Sequence, residues 1–245
     1  MPKYSLIIPA YNESNYLPRL LDSVDEARAC YRGEGDTIEV IVADNNSRDD
    51  TVNIARDRGC KVVHVATRCI ASVRNGGASA AEGVVLCFVD ADMRIHPQTF
   101  NAIDRSIESG NAVAGATGTT LERMSIGIGL TYAIMLTVAW MTKIDTGVVF
   151  CRKNDFEAIG GYNESMNFGE DVRFLLEIRE LGRRRGLELT RLSGAKALAS
   201  TRKWDQFGEW HFLVMMAEIF RKGGRNADQN SEFVDRYWYG DQREP

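Results

Sequence analysis

Val84-Val85-Leu86-Cys87-Phe88-Val89-Asp90-Ala91-Asp92 is a run of six apolar residues that ends in two carboxylates one residue apart. An uninterrupted apolar run of this length reads as a strand buried on both faces, the kind found in parallel sheets. Asp90 and Asp92 then fall where the strand leaves the sheet. In an extended chain they lie on one side, with α-carbons roughly 6.5–7 Å apart, so both carboxylates can face one ion or one ligand. Hard oxygen donors of this kind suit Mg2+ or Mn2+, with phosphate oxygens completing the shell. Acidic residues are also common in turns after strands, so the triplet alone leaves a solvated turn open.

The chain on either side decides the fold. Upstream, short apolar runs at Ser5–Ile8, Ile38–Val42 and Lys61–Val65 alternate with helical patterns over Tyr16–Cys30, Asp50–Arg58 and Ala71–Ala81. This alternation predicts β-α-β units and a largely parallel sheet covered on both faces. Ligands of such sheets collect at the carboxyl ends of the strands. Pro9–Asn12, Asp44–Ser47 and Asp90–Asp92 all fall there. Downstream of Gly110, Ala112–Ala116 and Thr146–Cys151 read as strands. Glu170–Leu181 reads as an amphipathic helix with Val172, Leu175, Leu176 and Ile178 facing inward.

The 245 residues can bury one sizeable core, and 44% hydrophobic and 26% charged residues are those of an ordinary globular protein. A net charge of −4 gives no pull toward nucleic acid, and none is expected as a partner. Arg183-Arg184-Arg185 reads as a solvated face that can also take phosphate. Five cysteines without C-x-x-C spacing argue against structural zinc and for a reducing compartment. The amino terminus enters a strand pattern at once, which leaves no room for a signal peptide, so a cytoplasmic location is expected.

Residues 124–142 carry no charged side chain. That is the short limit for crossing a bilayer, and the glycines and threonines within it favour a buried or interfacial helix. Met135, Leu136, Trp140 and Met141 then offer an apolar acceptor surface, with peripheral membrane contact as a further expectation. No internal repeat or low-complexity linker interrupts the chain. The polar tail after Gly223 contains Tyr237-Trp238-Tyr239, which can dock onto the body.

Ser5-Leu-Ile-Ile-Pro-Ala-Tyr-Asn-Glu13, Val40-Ile-Val-Ala-Asp-Asn-Asn-Ser-Arg-Asp-Asp-Thr51 and Asp90-Ala-Asp92 together resemble glycosyltransferase family 2, of the GT-A fold. Ala71-Ser-Val-Arg-Asn-Gly-Gly-Ala78, Gly160-Gly-Tyr-Asn-Glu164 and Gly169-Glu-Asp-Val172 extend the match, in the family's order, over about residues 4–182. The resemblance implies a Rossmann-like, mostly parallel α/β sheet flanked by helices, with a mixed, partly helical extension on the acceptor side. Residues 1–110 would form the nucleotide-sugar half, 111–222 the acceptor and catalytic-base half, and 223–245 a polar tail.

The residues agree with it piece by piece. Pro9 lacks an N–H and is expected to end the first strand, leaving Ala10, Tyr11, Asn12 and Glu13 to present backbone groups to a nucleotide. The G-x-G-x-x-G of a dinucleotide-binding enzyme is absent there. Asp44 is placed to accept from a base N–H, the role the resemblance implies. Family members often carry two consecutive acids here, and this chain has Asp44-Asn45, which leaves open which residue reads the base. Ser47 or Asp49 also suits a helix cap. Arg74 reaches toward base or phosphate, or else makes a surface ion pair.

For Asp90-Ala91-Asp92 the resemblance implies that Asp92 binds the metal directly, while Asp90 touches the ribose or reaches the metal through water. His211 is the candidate third ligand, with a packed core histidine as the plain alternative. Glu170 and Asp171 sit at a helix start, where the dipole favours negative charge. In the family the aspartate of this pair is the general base in an inverting displacement. Arg202 and Lys203 offer two cations beside Trp204, either to clamp a diphosphate or as a surface patch.

The sequence therefore predicts a Mn2+- or Mg2+-dependent transferase moving one sugar from a UDP- or GDP-linked donor to a hydroxyl acceptor, whether saccharide, small molecule or lipid-linked. It lacks the Q-x-x-R-W motif of processive synthases. Two alternatives are a sugar nucleotidyltransferase and a nucleotide-sugar-binding protein without turnover. The first would carry a glycine-rich, basic loop after the first strand, and Pro9–Glu13 is neither.

Overall fold

A computed structural model describes residues 1–166, 169–192 and 194–214. The expected docking of Tyr237-Trp238-Tyr239, and the tail that contains it, lie outside the described residues. In chain order the elements are β1 (Tyr4–Ala10), α1 (Leu17–Ala29), β2 (Ile38–Asp44), α2 (Thr51–Asp57), β3 (Lys61–His64), α3 (Ile70–Ser79), β4 (Val85–Phe88) and β5 (Met93–Arg94). There follow α4 (Thr99–Glu108), β6 (Ala112–Ala116), β7 (Thr119–Leu121), α5 (Ile126–Thr142), β8 (Val149–Arg152) and α6 (Lys153–Ile159). The described part closes with α7 (Glu170–Arg184), β9 (Glu188–Arg191), β10 (Ala197–Ala199) and α8 (Arg202–Phe207).

A seven-stranded sheet runs in the order β3-β2-β1-β4-β8-β6-β9. All its pairings are parallel except those of β8, which lies antiparallel between β4 and β6. β1 and β4 are buried along their whole length, as an apolar run covered on both faces requires. Leu6 and Ile8 of β1 pack with Leu20 and Val24 of α1 and Phe100 and Ile103 of α4. On the opposite face Ile7, Leu86 and Phe88 pack with α3, Phe156 of α6, and Phe174 and Ile178 of α7. Gly77 lets α3 close onto β1, because a Cβ there would lie 2.5 Å from the Ile7 side chain. A sheet of mainly parallel strands layered between helices is the α/β architecture expected.

Three local readings are corrected. The first strand does not stop at Pro9: it continues to Ala10, in register with Ala43 and Asp44 of β2. The missing N–H costs nothing because Pro9 shares the parity of Ile7, whose carbonyl bonds toward the β4 side, and the β4 ladder has already ended at Ile7–Phe88. Val84, read into the fourth strand, is exposed and precedes it. Val172, read as inward on α7, is exposed, whereas Phe174 is fully buried. The inward stripe of α7 is Glu170, Phe174, Leu175, Ile178 and Gly182, so a carboxylate heads the buried face.

A smaller sheet, β5-β10-β7, lies beside the main one. Its register pairs Ala199 with Met93 and Leu198 with Arg94. That pairing brings the segment after Ala199 alongside Asp92, which immediately precedes Met93.

Beneath the sheet, Asp104 of α4 accepts O–H bonds from Tyr4 and from Tyr31 (2.8 Å) and pairs with Lys3. Partial burial pushes its carboxyl up, but the three hydrogen bonds outweigh this and hold it below the usual range. A depressed folded-state value stabilises the fold above the ordinary carboxylate range, and the gain is lost as pH falls through the lowered value. Asp104→Asn is expected to lose about 2 kcal/mol at pH 7. In urea titrations that deficit should shrink toward zero in strong acid; an equal deficit at all pH would contradict the assignment.

Candidate active site

The loops after β1 and β2 are stitched together. The backbone N–H groups of Asn12, Glu13 and Ser14 donate to Ser47 Oγ (3.0 Å), Thr51 Oγ1 (2.8 Å) and Asp49 Oδ2 (3.0 Å). In return the Arg48 N–H donates to Asn12 Oδ1 (2.7 Å), and Asn12 takes a left-handed φ of 52° that an asparagine tolerates. Ser47, read as a helix cap, holds the two loops together, whereas Asp49 does both: its Oδ2 takes the Ser14 N–H and its Oδ1 the N–H of Thr51, the first residue of α2, at 3.0 Å. Tyr11 lies in cation–π range of Arg68.

Asp44 and Asn45 take different positions. Asn45 donates to the carbonyls of Val65 (2.6 Å) and Thr67 (2.8 Å), so its amide is spent on the next loop. Asp44 is buried, accepts the Ser47 N–H at 3.2 Å, and has His64 Nδ1 at 3.1 Å.

Arg74 of α3 is buried, not on the surface. Its Nη1 donates to Glu170 Oε1 at 2.6 Å and its Nη2 to Asp90 Oδ1 at 2.9 Å, and its guanidinium lies 5.2 Å from the Tyr162 ring centroid. The Gly160–Glu164 motif explains this placement. Asn75, next to Arg74, donates to the Tyr162 carbonyl (2.9 Å) and to Glu164 Oε1 (2.8 Å), and accepts the Tyr162 N–H (2.9 Å). Gly161 makes the latch possible: its φ is 75°, and a Cβ would lie 2.7 Å from Asn75 Oδ1. Burial acts to lower Arg74, but the facing carboxylates, Asp90 first, outweigh it and keep the group cationic. Burial raises Glu170 above the usual carboxylate value, Arg74 opposes this, and Asp171 adds to it.

Arg202, delivered by the β5–β10 register, makes a two-pronged contact with Glu13, Nη1 to Oε2 and Nη2 to Oε1, both 2.8 Å. Its Nε lies 2.8 Å from Asp92 Oδ2, an ion pair whose N–H is not aligned for a hydrogen bond. Tyr16 stacks beneath it at 4.8 Å. Burial raises the Asp92 carboxyl, opposed by Arg202 and then Lys203, with Asp90 adding to the rise. Glu13 is raised in the same way, by burial first, against Arg202. Pro9, Ala10 and Ala91 are buried at the strand ends that bear these groups.

His211, the candidate third ligand, sits against the end of α8. Its Nδ1 lies 2.7 Å from the Gly208 carbonyl, and its ring packs with Trp204, Phe207 and Phe212. Among the described residues no three of His, Cys, Asp and Glu form a metal-binding group.

A cavity of about 200 Å³ opens beside the acidic cluster. Its lining combines Arg74, Asp90 and Asp171 with an apolar and aromatic wall that includes Leu121, Tyr132, Met135 and Trp204. The aromatic and aliphatic wall was missed by sequence reasoning apart from Met135. The uncharged run from 124 to 142 was its one signal, since α5 supplies Tyr132 and Met135. The same helix exposes Ile126, Leu130, Val138, Trp140 and Met141 on its outer side. No described helix is long and apolar enough to cross a membrane.

Residues 5–126 match the family model described as Glycosyl transferase family 2. The chain belongs to that family. Among curated relatives of this family 2 chain, the 4,4'-diaponeurosporenoate glycosyltransferase of Staphylococcus haemolyticus is 34% identical over 112 residues. That match covers 43% of this chain and 28% of the relative's length, well under two thirds of it. Among solved structures, mannosyltransferase PcManGT from Pyrobaculum calidifontis, with GDP-Man and Mn2+, superposes with a TM-score of 0.66 at 18% identity, covering 87% of this chain and 64% of that one. S. aureus TarS 1-349 with UDP gives 0.61 at 21% identity, covering 96% of this chain and 69% of that one. At these identities the two structures establish the shared GT-A fold.

Proposed function

We propose that this chain moves one sugar from a nucleoside-diphosphate sugar, UDP- or GDP-linked, to a hydroxyl acceptor, with inversion and with the help of Mn2+ or Mg2+. The carrying observation is the convergence of Asp171, Asp90 and Arg74 on one cavity where the parallel strands end. The fold shared with structures holding GDP-Man with Mn2+ and UDP supports the donor class.

Asp92 and Asp90 would hold the ion. Two carboxylates, with no third protein ligand converging among the described residues, suit a hard cation whose shell phosphate oxygens complete, not a closed protein cage. Bound there, the ion supplies Lewis-acid neutralisation of the charge that develops on the departing diphosphate. The chain's own residues do the rest. Asp44 accepts from the base, within loops built by Pro9–Glu13 and Asn45. Arg202 and Lys203 turn toward the diphosphate. Asp171 takes the proton from the acceptor hydroxyl as it attacks the anomeric carbon, and one base opposite one leaving group gives inversion. Glu170 is a positioning residue that fixes Arg74 and, through it, Asp90.

The apolar wall supports an acceptor with an apolar body, and the exposed side chains of α5 extend that wall outward toward a lipid-linked acceptor at a membrane surface. Thermal unfolding against UDP-, GDP- and dTDP-sugars, with and without Mn2+, tests the reading, because a ligand of the folded state raises the melting temperature. A metal-dependent rise with a UDP- or GDP-sugar is expected, as is co-sedimentation with phospholipid vesicles. No shift with any donor would sink the donor assignment, and no vesicle binding the membrane one.

A further inference from the structure

Two arginines are shared among four carboxylates of the acidic cluster and offset half of their formal charge. Arg74 joins Asp90 to Glu170, and Arg202 joins Asp92 to Glu13. Each of the four carboxylates therefore has a guanidinium nitrogen at 2.6–2.9 Å. The two arginines are not equivalent. Arg74 is buried by the Asn75–Tyr162 latch, whereas the Arg202 side chain keeps 25% of its surface exposed and sits at the start of α8, just after the small sheet ends.

We infer that Arg202 occupies, in the donor-free protein, the place of positive charge that the metal takes in the donor complex, so that metal and nucleotide bind cooperatively. This rests on the reading of Asp90 and Asp92 as the metal site. A divalent ion arriving alone must displace Arg202 from Asp92, while the two-pronged Glu13 contact keeps that guanidinium beside the site. Like charges at such range repel strongly where solvent is scarce. A diphosphate changes both terms. It gives Arg202 a new bidentate acceptor and gives the ion additional hard oxygen ligands. Coupling of this kind is reciprocal: the factor by which nucleotide tightens metal is the factor by which metal tightens nucleotide.

The test is a Mn2+ titration of the full chain, read by the electron paramagnetic resonance signal of free Mn2+, without nucleotide and with UDP or, in a parallel series, GDP. Wild type is expected to bind Mn2+ weakly alone and more tightly with the effective nucleotide. Arg202→Gln is expected to bind Mn2+ alone about tenfold more tightly than wild type, and to lose most of the tightening that nucleotide brings. Arg202→Lys keeps a charge but not the two-pronged grip on Glu13, so its affinity for Mn2+ alone should fall between the two. It carries the test if circular dichroism shows that the glutamine variant does not fold. A folded variant whose affinity for Mn2+ alone equals or falls below that of wild type overturns the inference. Absence of Mn2+ binding to every form, with either nucleotide present, overturns the metal-site reading beneath it.

Discussion

Asp171→Asn is expected to bind donor as the wild type does and to transfer sugar about 10²–10⁴-fold more slowly, the usual contribution of a positioned general base. The geometry behind this is specific. Glu170 and Asp171 are neighbours at the start of α7, but only Asp171 lines the cavity, while Glu170 turns inward and is held by Arg74 at 2.6 Å. The amide keeps the size of the side chain and cannot take the proton. The loss should appear in kcat with the donor-induced thermal shift intact. Near-full transfer by the variant would remove Asp171 from the reaction. Glu170→Gln separates the two roles: it keeps the base but weakens the hold on a buried arginine, so a lower melting temperature should accompany any loss of rate.

Asp92→Ala is expected to abolish the metal-dependent part of donor binding and to slow transfer by about 10²–10⁴-fold, since a Lewis acid at a diphosphate contributes several kcal/mol. Removing this carboxylate leaves Arg202 its partner Glu13, so the fold should survive and the defect should be one of metal binding. Excess chelator should reproduce the defect in wild type and add little to it in the variant. Undiminished activity of Asp92→Ala in chelator would take the metal out of the mechanism.

The central strands were readable because a strand buried on both faces is apolar throughout. Val85–Phe88 runs into Asp90 and Asp92 with no competing pattern, and the β1 and β2 loops end in residues with strong turn chemistry. What escaped reading is non-local or short. β5, β7 and β10 have two or three residues each, too few for any periodicity, yet their register alone carries Arg202 to Asp92. Arg202, Glu13 and Asp92 were each visible as separate charges, but their pairing is set by chain segments far apart in sequence. The inward face of α7 was misjudged at Val172 because a buried Glu170, satisfied by Arg74, broke the apolar pattern. His211 is a chemistry-bearing residue whose surroundings, three aromatic rings and a carbonyl, appear only once the chain is folded.

The proposed sugar transfer depends on the Asp90–Asp92 pair. The most direct measurement is chromatographic detection of nucleoside diphosphate released from UDP- and GDP-sugars by the full chain with Mn2+, alongside Asp92→Ala. Release from at least one donor by the wild type, and its loss in the variant, is expected. Binding of a donor with no release under any condition would contradict it and leave a nucleotide-sugar-binding protein on a transferase fold.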